Sequence, residues 1–145
     1  MAREFSTSID IAAPPPIVWE VMSDVERWHE WTASITRVER LDGGPMGIGS
    51  RAKVRQPKLP VAFWKVNDWQ PNVGFSWVNR APGLRVTGKH YVAAIPGGSR
   101  ATLGLHMEGL FAPVLAWLTA GITERYIAME AAGLKTRSEE RARRG

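Results

Sequence analysis

The hydrophobic pattern changes its period once along the chain, and this change constrains the fold more than any other feature. Between residues 34 and 109, about six short segments alternate apolar with polar side chains and are separated by turns rich in glycine and proline. This pattern predicts strands joined as antiparallel hairpins. After Gly109 apolar residues recur every three to four positions, which predicts one helix from about Pro113 to about residue 138, roughly 40 Å long.

The first 31 residues predict one further strand and two short helices. Residues 5–11, FSTSIDI, alternate strictly, and the prolines that follow end a strand and suit the first turn of a helix. The stretch SDVE predicts a second helix, because Ser23 and Glu26 have the spacing of a capping box. The element order predicts an α+β domain in which a curved, antiparallel, seven-stranded sheet wraps around the long C-terminal helix.

Length and composition limit the classes of function. A chain of 145 residues has room for one domain with a sizeable core. It contains no cysteine, which excludes a disulfide framework, a thiolate zinc site and a thiol nucleophile. The sequence has neither a run of about 18 apolar residues nor the apolar centre of a signal peptide, so we expect no membrane span and a cytoplasmic location.

The net charge of +5 is concentrated at the C-terminus. Residues 135–145 contain five basic and two acidic side chains, so the other 134 residues carry a net charge of only +2. We therefore expect one domain over residues 1–138 and a basic, solvated tail over residues 139–145. A basic tail without a basic face argues against a nucleic-acid partner.

Three segments of the sequence carry a resemblance to a known family. They are SIDIAAPPPIVWEVMSDVERWHEW (8–31), GKHYVAAIPGGSRATLGLHMEGL (88–110) and AMEAAGLKTRSEE (128–140). With them the chain resembles the START/Bet v 1-like (SRPBCC) superfamily and, within it, the bacterial polyketide cyclase/dehydrase and lipid-transport proteins. The resemblance implies a helix-grip fold with a cavity for lipids, sterols, polyketides or hormones between sheet and helix. It transfers no catalytic residue, because the family has no universal catalytic signature.

Strand alternation and helical spacing nominate the side chains that line this cavity. On each strand the charged residues mark the solvent face, and the residues between them point inward. On the helix, the apolar stripe supplies the opposite wall. The predicted ligand-binding residues are Trp64, Val66, Phe75, Trp77, His90, Leu105, Met107, Leu118, Ile122, Tyr126 and Met129.

His90 and Tyr126 are the two polar groups among these positions that chemistry would use. His90 is either a neutral core imidazole or a polar anchor for a ligand carbonyl or hydroxyl, and Tyr126 has the same two interpretations. No inward pair of carboxylates is apparent, since Asp and Glu fall at predicted turns, helix ends or solvent faces. Three scattered histidines predict no metal site, and no sequence motif predicts a cofactor.

The stretch DVERWHEW, residues 24–31, admits two interpretations. In a helix, Trp28 and Trp31 share one face, while His29 and Glu30 point away from it. Two tryptophans at this spacing favour a structural joint that buries both indoles. In the alternative, this helix covers the mouth of the cavity and one tryptophan faces the ligand.

The favoured function is binding of a small hydrophobic or aromatic ligand, lipid-like or polyketide-like, in the cavity. The alternative is a polyketide cyclase or dehydratase that uses His90 as general base and Tyr126 as oxyanion stabiliser. A third function, docking of a partner through the tail, requires an exposed apolar patch or a basic face. The sequence does not decide whether the protein is an enzyme, and we expect a monomer or a weak homodimer.

Overall fold

Seven strands form one antiparallel sheet against which a 33-residue helix packs, in a computed structural model that describes residues 2–144. The strands lie in the order β1-β7-β6-β5-β4-β3-β2, so the first and the last strand of the chain are neighbours. The elements are β1 (Ala2–Ile11), α1 (Pro15–Ser23), a 3-10 helix (Val25–Glu30), β2 (Arg37–Arg40), β3 (Arg51–Arg55), β4 (Ala62–Gln70), β5 (Gly74–Ala81), β6 (Leu84–Ile95), β7 (Gly98–Glu108) and α2 (Ala112–Arg144). The predicted α+β class and the helix-grip arrangement are confirmed.

The strands present the faces that alternation predicts, with one local change in β4. Ala52 and Val54 of β3 are buried between exposed or half-buried neighbours. In β4 the register shifts between Val66 and Asp68, which is a β-bulge. Beyond this bulge the inward positions become odd-numbered. Trp69 therefore joins the core, where its ring centroid lies 4.9 Å from that of Trp19.

The segment DVERWHEW forms a joint between the N-terminal part of the chain and α2. Residues Val25–Glu30 form the 3-10 helix without a side-chain cap, because Glu26 accepts a hydrogen bond from the backbone of Arg40 instead, at 3.0 Å. The predicted capping box is therefore wrong. The exposed carboxylate of Glu30 pairs with Arg137 of α2 at 3.0 Å. Next to this pair, a Cβ on Gly133 would lie 1.9 Å from the carbonyl oxygen of Trp31, so only glycine permits this close approach.

Trp28 is buried in the core with only 3% of its surface exposed. Its indole nitrogen donates a hydrogen bond to the carbonyl of Met22 at 3.0 Å. Its ring lies 5.3 Å from that of Trp77 and 6.2 Å from that of Phe75, centroid to centroid. The indole thus connects the N-terminal segment to the sheet.

The long helix turns a different face to the sheet from the one that its apolar stripe predicts. Four of the six buried side chains along it are alanine or serine, whereas the larger side chain of Leu118 is 65% exposed. Small residues allow the helix axis to approach the sheet, and a row of leucines at the same positions would not fit the available space. The buried residues of α2 are Ala112, Ala116, Tyr126, Ala131, Leu134 and Ser138.

The C-terminal residues up to Arg144 continue α2. The helix passes the predicted end near residue 138 without a break and extends to Arg144; Gly145 lies outside the described residues. Glu139 accepts hydrogen bonds from the backbone nitrogen of Ala12 at 2.9 Å and from Lys135 at 2.6 Å. That residues 1–138 form one domain stays a prediction. Within residues 2–144 no helix is both long and apolar enough to cross a membrane.

The buried position of Trp28 predicts a large effect of its truncation on stability. We expect Trp28→Ala to lower the free energy of unfolding by about 3–5 kcal/mol, the range for an emptied aromatic site in a core. Urea denaturation followed by circular dichroism measures this change. The matched control is Trp117→Ala, whose side chain is 79% exposed and whose loss should cost about 0.5 kcal/mol or less. Equal losses in the two variants would contradict a structural role for Trp28.

Candidate functional site

A cavity of about 100 Å³ lies between the sheet and α2. Strands β3 to β7 form one wall, and the turns of α2 between Thr123 and Glu130 form the opposite wall. The indole of Trp28 also lines the cavity. The lining residues are Trp28, Ile35, Val54, Gln56, Leu59, Trp64, Trp77, Gly88, Lys89, His90, Leu103, Gly104, Leu105, Thr123, Tyr126, Ile127 and Glu130.

Five of the eleven predicted ligand-binding residues line this cavity, namely Trp64, Trp77, His90, Leu105 and Tyr126. The other six do not. Val66 and Phe75 belong to the main hydrophobic core, and Met107 packs in a second, smaller cluster. Leu118, Ile122 and Met129 lie on α2 outside the cavity, because the helix is rotated relative to its apolar stripe.

The rotation of α2 explains which helix residues reach the cavity. Thr123, Tyr126, Ile127 and Glu130 follow one another at spacings of three, one and three, which places them on one face of a helix. Alternation within a strand assigns a side chain to the correct face of the sheet. It does not say how far along the strand the cavity extends, which is why Val66 and Phe75 are buried beyond it.

His90 lies in an aromatic box in the wall of the cavity. Its ring stacks on Phe75 at a centroid distance of 4.4 Å and an interplanar angle of 16°. Trp28 and Trp77 lie 5.1 and 5.7 Å away on other sides. Burial lowers the pKa of His90 from 6.5 to about 4, so the imidazole is neutral at pH 7. Within the described part of the chain, its buried Nδ1 has no hydrogen-bond partner.

Two stacked tryptophans form the flat part of the wall. The rings of Trp64 and Trp77 lie 5.8 Å apart at an interplanar angle of 29°. A Cβ on Gly88 of the neighbouring strand would lie 3.0 Å from the indole of Trp77, so glycine at this position makes room for the ring. The cavity therefore has a planar aromatic surface next to the polar group of His90.

Glu130 brings a carboxylate into the cavity, which the sequence interpretation missed. The side chain of Glu130 accepts a hydrogen bond from the hydroxyl of Ser34 at 3.1 Å. The hydroxyls of Ser34 and Thr32 are 2.7 Å apart, so Thr32 donates to Ser34 when Ser34 donates to Glu130. Burial raises the pKa of Glu130 from 4.5 to about 7. Near neutral pH this group is therefore able both to donate and to accept a proton.

One signal in the sequence indicates this position. Glu130 follows Ile127 by three residues and precedes Leu134 by four, and both of these residues pack against the core. A carboxylate in register with core residues of a helix points inward, whatever the charge of the surrounding stretch. The expectation that all Asp and Glu side chains fall at turns, helix ends or solvent faces is therefore wrong for Glu130.

Tyr126 lines the cavity, but its hydroxyl group is engaged elsewhere. It donates a hydrogen bond to the carbonyl oxygen of Pro57 in the loop between β3 and β4. No hydrogen bond joins Tyr126 to His90 among the described residues. The phenol proton that an oxyanion would require is used to hold this loop on α2. The residue before Pro57, Gln56, donates a hydrogen bond from its side-chain amide to the carbonyl of Ser34 at 3.3 Å.

The walls and size of the cavity limit what it can hold. A dry apolar cavity of about 150 Å³ is known to bind benzene, so this cavity corresponds to one small ring or a short chain. Within residues 2–144, no group of three or more His, Cys, Asp or Glu side chains is arranged to hold a metal ion. The site offers a neutral imidazole, a carboxyl group and aromatic surfaces, and beside them the polar side chains of Gln56, Lys89 and Thr123.

Comparison with known proteins agrees with the fold. The profile of the family described as polyketide cyclase / dehydrase and lipid transport matches residues 2–139. The chain belongs to this family. The resemblance to this family expected from the sequence is confirmed, since its profile matches 138 of the 145 residues.

Solved structures of other proteins share the fold of this chain. The Zhui aromatase/cyclase of a Streptomyces species superposes with a TM-score of 0.78 at 17% identity, over 97% of this chain and 96% of that chain. Ara h 8.0201 superposes with a TM-score of 0.69 at 16% identity, over the full length of both chains. At these identities the likeness shows the common fold alone.

Curated proteins similar to this chain occur in Mycobacterium tuberculosis and Mycobacterium bovis. Each is 28% identical over 102 residues. The match covers 68% of this chain and 61% of the length of these relatives.

The raised pKa of Glu130 predicts a pH-dependent stability. In the unfolded chain this carboxyl loses its proton near pH 4.5, whereas in the folded protein it keeps the proton to about pH 7. The folded state therefore binds more protons between these values, and Glu130 lowers stability as the pH rises through this window. Above pH 7 the loss is complete and amounts to at most about 3 kcal/mol.

The variant Glu130→Gln isolates this effect, because Gln has the shape of the neutral acid and does not titrate. We expect the free energy of unfolding of the variant, minus that of the wild type, to increase from pH 5 to pH 7 and then to level off. Urea denaturation at four pH values measures this difference. The contribution of His90 to the free energy of unfolding has the opposite pH dependence: it is fully present above pH 6.5 and is lost as the pH falls towards 4. This contribution is the same in the wild type and the variant, so it cancels in the difference. A difference independent of pH would contradict the burial of Glu130.

Proposed function

We propose that the protein binds a small molecule with one aromatic ring or a short apolar chain and one polar group in this cavity. The observation that carries the proposal is the presence of His90 and Glu130 in the wall of an otherwise largely aromatic and aliphatic cavity. Apolar walls favour the apolar body of a ligand through loss of water contact. Membership in a family described by polyketide and lipid chemistry supports a ligand of this class.

The polar groups define which ligand the cavity favours. The imidazole of His90 lines the cavity and is neutral at pH 7, and a neutral imidazole has one donor and one acceptor nitrogen for a hydrogen bond. The carboxyl of Glu130 retains free acceptor capacity beside its bond to Ser34. A phenol or alcohol hydroxyl fits both groups, whereas a two-tailed phospholipid exceeds the volume of the cavity.

A second candidate function is catalysis of dehydration or cyclisation on a polyketide-like substrate. The observation that favours it is the pKa of Glu130, which lies close to the pH at which a general base works best. The carboxylate would remove the proton next to a substrate carbonyl, and the carboxylic acid so formed would protonate the leaving hydroxyl, which departs as water. His90, with a pKa of about 4, would donate or accept a hydrogen bond rather than act as the base. The likeness to an aromatase/cyclase supports a search for such a reaction.

Binding of two isosteric probes tests the proposed ligand class. 4-Methylphenol and 4-methyltoluene (p-xylene) differ only in a hydroxyl and a methyl group, so their ratio of dissociation constants reports the polar contact. We expect Glu130→Met to shift this ratio against 4-methylphenol by about 5- to 150-fold relative to the wild type, as the loss of a buried hydrogen bond implies. Isothermal titration calorimetry measures both constants, and His90→Leu is tested in the same way.

The matched control is Met129→Leu, which changes the neighbouring residue on α2 outside the cavity and should leave the ratio unchanged. If the wild type binds neither 4-methylphenol nor p-xylene, the binding proposal is overturned. An unchanged ratio in Glu130→Met and in His90→Leu would show that neither group contacts the hydroxyl.

Dehydration of a small β-hydroxy ketone tests the second candidate. With 4-hydroxypentan-2-one as the probe, a short chain that suits the volume of the cavity, elimination of water gives a conjugated enone whose ultraviolet absorbance rises. If Glu130 is the base, we expect Glu130→Gln to lower the enzymatic rate by about 10²- to 10⁴-fold, with little change in binding of the enone product. A wild-type rate equal to that in buffer would contradict catalysis and leave the binding proposal intact.

A further inference from the structure

Five large apolar side chains at the start of α2 are exposed. We call this group the apolar ridge; it comprises Leu110 (81% exposed), Phe111 (54%), Val114 (59%), Trp117 (79%) and Leu118 (65%). The stretch from residue 109 to residue 123 contains no charged side chain. A contiguous exposed apolar patch of this kind typically marks a surface that contacts a membrane or another protein.

The ridge arises because the first turns of α2 turn their small side chains towards the sheet and their large apolar side chains towards solvent. Ala112 and Ala116 face the sheet, where they form a small cluster with Val86 and Met107. An ordinary surface helix turns its largest apolar side chains towards the core and its polar ones towards water. Here the smallest residues face inward and the largest face outward, so core packing does not account for the residues of the ridge.

The charges around the ridge are mainly basic. Phe111 is anchored at the turn between β5 and β6, where its backbone nitrogen donates to the carbonyl of Gly83 at 3.0 Å. Arg80 and Arg85 flank this turn; Arg85 lies 3.5 Å from Glu108, and Arg80 forms no ion pair within residues 2–144. Nearly two turns beyond the ridge, Glu124 and Arg125 balance each other in charge.

We propose that the apolar ridge docks on an anionic lipid surface. Leucine, phenylalanine and tryptophan side chains enter the boundary between headgroups and acyl chains, where an indole is particularly favourable. Beside the ridge, Arg80 has no acidic partner within residues 2–144, and Arg3 lies opposite Met107 in the register of β1 and β7, so this end of the protein attracts anionic lipid headgroups. The proposal goes beyond ligand binding in the cavity and does not depend on it.

Cosedimentation of the full chain with vesicles tests the proposal. The vesicles consist of phosphatidylcholine with phosphatidylglycerol or of phosphatidylcholine alone, at low salt. We expect the wild type to bind the anionic vesicles, and the double variant Trp117→Ser/Leu118→Ser to bind them about tenfold or more weakly because two inserted side chains are lost. Added salt should weaken wild-type binding, since it screens the charges.

The matched control is Ile48→Ser/Phe63→Ser, which removes two large apolar side chains that are 73% and 58% exposed outside the ridge. It should bind vesicles like the wild type, and thermal unfolding verifies that both variants are folded. Failure of the wild type to sediment with anionic vesicles, or equal binding by all three proteins, would overturn the proposal. So would self-association of the wild type, measured by light scattering, that depends on Trp117 and Leu118 without vesicle binding, because the ridge would then be an interface between copies. Vesicle binding by a protein that binds neither aromatic probe would overturn only the function proposed for the cavity.

Discussion

The indole of Trp28 is the contact on which the N-terminal segment, the sheet and the cavity all depend. Its nitrogen is held by the carbonyl of Met22, and its ring contacts Phe75, Trp77 and His90. Large aromatic rings bury much surface and contact each other in tilted and edge-on geometries that fix their positions. The same side chain therefore stabilises the core and lines the cavity, which joins the site to the core of the fold.

Burial explains the electrostatics of the cavity with a single physical cause. Removal of water penalises the charged form of any group, so it lowers the pKa of His90 and raises that of Glu130. Both shifts favour the neutral forms. A cavity with two neutral hydrogen-bonding groups suits a neutral, partly apolar ligand, and its carboxyl group titrates near physiological pH. The site thereby combines the properties needed for binding with one property needed for acid–base chemistry.

The two halves of α2 differ in their contacts with the rest of the protein. The C-terminal half is anchored by specific contacts, among them the pair of Arg137 with Glu30 and the bond from the backbone of Ala12 to Glu139. The close approach at Gly133 fixes the distance between this half and the joint that ends at Trp31. The N-terminal half rests on Ala112 and Ala116 and leaves its large apolar side chains outside. One helix thus supplies a structural anchor, a cavity wall and an exposed apolar surface along its length.

The sequence by itself determined the elements and the faces of the sheet, because these follow from local periodicity. Alternation placed Trp64, Trp77 and His90 on the inner face, and the change of period after Gly109 located the long helix. The rotation of that helix, and with it the place of Glu130 in the cavity and of Leu118 at the surface, was decided by tertiary packing. Several faces of α2 carry apolar residues, and periodicity alone does not rank them. The ranking depends on which side chains fit against a curved sheet, and small residues such as Ala112, together with the contact at Gly133, settle it through distances between segments that are far apart in the chain.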